Sequence, residues 1–136
     1  MLQDNLLFNP YDLHHHRTTL LTQNQRKPIS DPLLRTLATQ LLKEEKAQVR
    51  EVIAAAIGTL GLPEGEQCAD ALIRCMQVPD EDPNVKAMCV WSIGRLATHQ
   101  TGLKASRILV AALKDSYWKV RAAACTAVAQ IGEPVA

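Results

Sequence analysis

The feature that most constrains this chain is an apolar helical stripe that occurs three times at nearly constant spacing. From Val49-Arg50, the residues Val52, Ile53, Ala56, Ile57 and Leu60 follow at offsets 3, 4, 7, 8 and 11. From Val85-Lys86 the same offsets give Met88, Cys89, Ser92, Ile93 and Leu96, and from Val120-Arg121 they give Ala123, Ala124, Ala127, Val128 and Ile131. Those offsets trace one face of an α-helix, so each segment is expected to be a helix with a similar buried stripe. A small residue sits at offset 9 each time (Gly58, Gly94 and Ala129), where it lets a neighbouring backbone come close. Gly61 and Gly132, followed by Pro63 and Pro134, are expected to end two of the helices.

Each of these helices has a partner before it. Leu34, Leu37, Ala38, Leu41 and Leu42 form a second stripe. Cys68, Ala71, Leu72, Cys75 and Met76 repeat its spacing, as do Ala105, Ile108, Leu109, Ala112 and Leu113. The unit is therefore a first helix A, a tight turn and a second helix B, and helix B restarts after 36 and then 35 residues. One hairpin cannot bury both stripes by itself, so the units must stack. The fold expected is all-α, an α-solenoid of about three hairpins over residues 31–61, 66–98 and 102–132. Ser30-Asp31-Pro32 supplies the start, a capping side chain followed by a proline at the first helical position. Residues 1–30, with no sustained period, read as an irregular N-terminal leader with at most a short helix around Asp12 to Leu21. The repeat domain then covers 31–136.

Composition agrees. The 136 residues include 18 Ala and 18 Leu against one Phe, two Trp and two Tyr, and every Ala lies at or after Ala38. Sheets want β-branched and aromatic residues in alternation, whereas close helix packing wants Ala.

With these residues in place, the chain resembles HEAT-type repeat proteins of the armadillo-type fold. The resemblance rests on Val-Arg opening helix B, on small residues along it, and on an acid six positions before the base. Its best carrier is the run from Leu113 to Ala124. The short period resembles the compact HEAT-like repeats of phycobilin lyases, since typical HEAT units run to ~40–47 residues. The second unit departs from the pattern: Val78-Pro79-Asp80-Glu81-Asp82-Pro83 lengthens its turn by two residues. The resemblance implies right-handed superhelical stacking and a surface that holds another macromolecule.

The acid and base form a ladder: Glu44 with Arg50, Asp80 with Lys86, and Asp115 with Arg121, each pair six apart. Paired charges project little net field, so the ladder is expected to be structural. Each acid would accept hydrogen bonds at its own turn or from the next unit's base.

A catalytic reading finds no constellation. His14, His15 and His16 are adjacent and cannot all aim at one ion, and no second ligand cluster accompanies them. Cys68 and Cys75 share the apolar stripe of Ala71 and Leu72, which makes them buried structural thiols. Deoxyhypusine hydroxylase is similar in architecture and binds two irons through His-Glu pairs, but no His-Glu dipeptide occurs here. No phosphate-binding glycine loop is present; Gly58, Gly61 and Gly65 read as helix-end and linker glycines. The expectation is no catalytic residue, no cofactor and no metal.

What remains is a non-catalytic scaffold or adaptor that binds protein. The alternatives are a lyase- or chaperone-like accessory enzyme with a pocket on the concave face, or a tubulin-binding array. The B-helix face at offsets 2, 5, 6 and 9 is mostly small, with Val90 and Trp91 as exceptions and Arg95 one turn on. Trp91 either fills space between B helices or anchors a partner. A second candidate, Trp118 with Lys119 on the third turn, resembles the tubulin-contacting turns of TOG-type arrays. The other two turns, Lys43 to Lys46 and Asp82 to Asn84, carry no aromatic residue. A formal net charge of +1 argues against nucleic acid as partner, and no run of about 18 apolar residues exists to span a membrane. With four cysteines and no secretory leader pattern, the expected address is intracellular and cytoplasmic. The chain is expected to be part of a longer array, or to self-associate through a C-terminal repeat that lacks a polar cap.

Overall fold

The computed structural model describes residues 27–132, all of whose regular elements are helical. Residues 1–26 of the leader, with its three histidines, and the segment from Glu133 to Ala136 lie outside the described residues. Six α-helices follow in order: α1 (Asp31–Lys43), α2 (Ala47–Leu60), α3 (Ala69–Met76), α4 (Pro83–Arg95), α5 (His99–Ala112) and α6 (Trp118–Ile131). A 3-10 turn, Glu64–Cys68, leads into α3. Helices α1, α3 and α5 are the A helices of the repeat; α2, α4 and α6 are the B helices.

The hairpins stack in chain order as an α-solenoid, and the B helices form its spine. α4 packs along α2 on one side and along α6 on the other. Small residues set the approach: Ala54, Ala55, Ala87, Ala123, Ala124 and Ala127 are all buried at these contacts. At Gly58 even a methyl group would run into Ser92 and Trp91 of α4, and at Gly94 it would lie 2.6 Å from Ala127 Cα of α6. Hydrogen bonds cross the α2–α4 contact: Ser92 Oγ donates to Ala54 O at 2.6 Å, and Arg95 Nε to Gly58 O at 2.8 Å.

Helix ends follow local chemistry with two departures from expectation. Ser30 precedes α1 but its side chain makes no capping bond, and Pro32 is the second helical residue. Asp82 does cap α4, accepting the Asn84 N–H at 2.8 Å ahead of Pro83. α2 ends at Gly61, whose φ of 67° is the left-handed conformation glycine adopts without a Cβ clash. Gly65 is more than a linker residue: it is buried, and a Cβ there would sit 2.6 Å from Leu96 Cδ2 and 2.9 Å from Ile57 O. The second A helix begins here as a 3-10 turn and is regular α-helix from Ala69.

Candidate functional site

Two faces of the solenoid merit description as sites: the spine contacts between B helices, and the row of A-to-B turns along one edge. The turns run 44–46, 77–82 and 113–117, three, six and five residues long.

The charge ladder lies along these turns, and it joins the units. Arg50 Nε donates to Glu81 Oε2 at 3.0 Å and Nη2 to Glu81 Oε1 at 2.6 Å. The same guanidinium donates through Nη1 to the carbonyls of Glu44 (2.9 Å) and Glu45 (2.8 Å). One unit later, Lys86 Nζ lies 2.8 Å from Asp115 Oδ2. Arg121 Nη1 then holds the carbonyls of Asp115 (2.8 Å) and Ser116 (3.0 Å), as Arg50 holds its own turn. Arg50 thus ties its own turn through carbonyls and the following unit through a carboxylate, Lys86 reaches the following unit and Arg121 its own turn, so the link between units runs opposite to the expected direction.

The second unit also corrects the acid. Asp80 does not pair with Lys86; it is exposed with φ of 62°, a left-handed conformation that Asp tolerates better than most residues. That reversal in the six-residue turn carries Asp80 outward and turns Glu81 inward, where its side chain is 3% exposed. Glu44, for its part, offers Arg50 only its carbonyl. Its carboxylate accepts from Gln40 Nε2 at 2.8 Å and from the Lys46 N–H at 3.3 Å.

Burial by itself pushes the Glu81 carboxyl up, but the Arg50 guanidinium, the Asp82 N–H and the Cys75 thiol hold it below the usual carboxylate range. The Glu81 bond in turn raises Arg50. At Asp115 the same contest is won by Lys86 and the Tyr117 N–H, so that carboxyl is also lowered. Behind Glu81 lies a pair of thiols. Cys75 Sγ donates to Glu81 Oε2 at 3.3 Å, while the hydrogen bond to Cys75 and full burial hold Cys89 well above an ordinary thiol. Burial raises Cys68 as well. Three of the four cysteines are buried and reduced, and Cys125 is exposed. Among the described residues no group of His, Cys, Asp and Glu is placed to hold a metal ion.

The candidate partner residues divide. Val90 and Trp91 are interior, at 0% and 1% exposure, and present no surface to a partner. Arg95 is held between α2 and α4, with its guanidinium carbon 5.2 Å from the Trp91 ring centre. The B-helix face at offsets 5, 6 and 9 belongs to the spine in the first two units, because the next B helix covers it. Trp118 and Lys119 lie at the surface edge: Trp118 is 57% exposed, and Lys119 Nζ is 5.6 Å from its ring centre. Tyr117 packs beside them and donates its hydroxyl to Asn84 Oδ1 at 3.2 Å, tying the third turn to the start of α4.

Leu42, which the stripe of the first A helix places on the buried face, is instead exposed near these turns, and so is Val78, which no stripe singled out. They border a cavity of about 250 Å³ whose floor is Leu41, Cys75 and the Arg50–Glu81 pair. A larger hollow of about 460 Å³ follows the exposed face of α1 between Pro32 and Lys43 and gathers no group of the kind catalysis needs.

Residues 78–136 match the family model for HEAT repeats. Over that segment the chain is built of HEAT-like repeats. No curated protein and no solved structure matches it. The match begins in the turn before α4 and runs through α5 and α6, where the acid–base spacing of six and the small residues of helix B are most regular. No helix among the described residues is long and apolar enough to cross a membrane.

Proposed function

We propose that the chain is a non-catalytic scaffold module that binds a protein partner along its turn edge, with Trp118 as the anchor. The observation that carries this reading is Trp118 itself. It is the one Trp of the two left at the surface, with a Lys119 ammonium over its ring, at the start of α6 beside a turn tied to the neighbouring repeat by Tyr117 and Lys86. Large aromatic side chains on rigid supports dominate binding hot spots. Leu42 and Val78 supply further apolar surface in the same row of turns. HEAT repeats as a class serve as protein-interaction scaffolds, which supports the general reading.

The test is affinity. A partner crosslinked from native lysate through a photoreactive group at position 118 would be purified and titrated against wild type and Trp118→Ala. Loss of at least ~10-fold in affinity, about 1.4 kcal/mol, is expected for a hot-spot aromatic residue. Equal affinity of the two proteins would refute the assignment of Trp118.

A further inference from the structure

The same spine contact occurs twice inside the chain, and each of its two halves occurs once more, exposed, at opposite ends of the described stack. The forward half is set by Ala54 and Gly58 on α2, whose carbonyls receive Ser92 and Arg95 of α4. Its counterparts on α4 are Val90 and Gly94, both buried. On α6 the counterparts are Cys125 and Ala129, both exposed. The rearward half is set by Val85 and Met88 on α4 and by Val120 and Ala123 on α6, at 0%, 8%, 0% and 0% exposure. On α2 the equivalent residues are Val49 and Val52, at 40% and 52%.

The charges repeat this complementarity. Arg50 and Lys86 each reach forward to a carboxylate of the following unit. Arg121 has the same grip on its own turn carbonyls, but no carboxylate among the described residues lies within ion-pair distance. At the other end, Glu44 occupies the place that Asp115 holds in the third unit. Asp115 accepts the N–H two residues on with Oδ1 and the preceding unit's Lys86 with Oδ2. Glu44 likewise accepts the N–H two residues on with Oε1, and its Oε2 has only the amide of Gln40.

We propose that the chain associates head to tail with a second copy of itself, α6 of one copy seating α2 of the next, with Arg121 donating to Glu44 of the second copy. The contact continues the α2–α4 and α4–α6 geometry. Small residues (Cys125 and Ala129) face apolar ones (Val49 and Val52), beside a base and an acid of opposite sign. Such a contact is heterologous, so each copy keeps one open end and further copies add in line. Trp118 lies one turn before Arg121 on the same face of α6 and borders this contact, so Ala129→Glu tells the two proposals apart: it is expected to weaken the association of copies and to leave the partner's affinity unchanged.

Sedimentation equilibrium of the full chain under reducing conditions, from about 10 µM to about 1 mM, reads the proposal directly. The expected result is an average mass that climbs with concentration and passes that of a dimer. Arg121→Glu and Glu44→Arg are each expected to weaken association at least ~10-fold, and an equimolar mixture of the two to restore it, because each end then meets its complement. Ala129→Glu changes an exposed helix position and is expected to weaken association equally, with circular dichroism confirming the fold of every variant. A single-chain mass across the range overturns the proposal, as does association that survives Ala129→Glu or a mixture that fails to re-associate.

Discussion

Gly94→Ala offers the sharpest test of how the spine is built, because two effects of opposite sign meet at one atom. In an exposed helix interior the change gains about 1 kcal/mol, since Ala has the better helix propensity. Here the new methyl carbon would lie 2.6 Å from Ala127 Cα, 2.8 Å from Ala127 Cβ and 2.8 Å from Gln130 Oε1. Ordinary contacts begin at 3.4 Å, so along the Cα line α4 and α6 must part by 3.4 − 2.6 = 0.8 Å. The obstructing atom is backbone and cannot rotate aside. Overpacking of this kind costs about 1–3 kcal/mol, and a backbone obstruction belongs at the upper end. The net expectation is a loss of about 1–2 kcal/mol, with a melting temperature several degrees lower. Urea denaturation followed by circular dichroism measures it. Ala129→Gly, at the same place in the third unit but exposed, supplies the control, with a loss of about 1 kcal/mol from propensity alone. If Gly94→Ala equals or exceeds wild type in stability, the close α4–α6 approach is not what holds the repeats together.

Three further predictions follow from the ladder and the cysteines. Glu81→Gln keeps shape but loses the charge-assisted pair with Arg50, whose side chain is 19% exposed and so partly compensated by water. The expected loss in urea denaturation is about 1–2 kcal/mol, against less than about 0.5 kcal/mol for Asp80→Asn; the reverse order would restore Asp80 as the pairing acid. Glu81 and Asp115 both titrate below the usual carboxylate range. Their stabilisation is therefore complete above that range and is lost as pH falls through their lowered values, so the melting temperature is expected to drop below about pH 4. Glu81→Gln should flatten that drop, and an unchanged acid profile in the variant would remove Glu81 as a cause. With a disulfide-exchange thiol reagent, one cysteine of the four, Cys125, is expected to react quickly in the native protein and all four in denaturant. Fast native reaction of a second thiol would contradict the burial of Cys68, Cys75 and Cys89.

Much of the fold was legible because the repeat is a periodic signal: offsets 3, 4, 7, 8 and 11 pick out Ile53, Ile57, Cys89, Ile93, Ala123 and Ala124, all buried, although Val52 and Val128 at the same offsets are exposed on the outer B helices. The small residue at offset 9 announced the close helix contacts at Gly58 and Gly94. The misreadings came where geometry departs from the period. α4 has neighbours on both sides and buries 9 of its 13 residues, so the face assigned to a partner at Val90 and Trp91 is interior. A single-helix stripe cannot distinguish a face that looks onto solvent from one that looks onto the next repeat. The lengthened second turn contained the signal for the other error. Two extra residues and Pro79 alter the register between turn and helix, and they move the inward acid from Asp80 to Glu81. Only Trp118 and Lys119 of the candidate partner residues stand at the surface edge, at the first turn of α6, where no further B helix among the described residues covers them.

Hydrogen exchange, read by mass spectrometry on the chain alone and with its crosslinked partner, tests the central functional claim most directly. A partner seated on the turn edge slows amide exchange in segments 77–82 and 113–119 and leaves the outer faces of α1 and α5 unchanged. Protection confined to those A-helix faces, with the turns exchanging as fast as in the free chain, would contradict it.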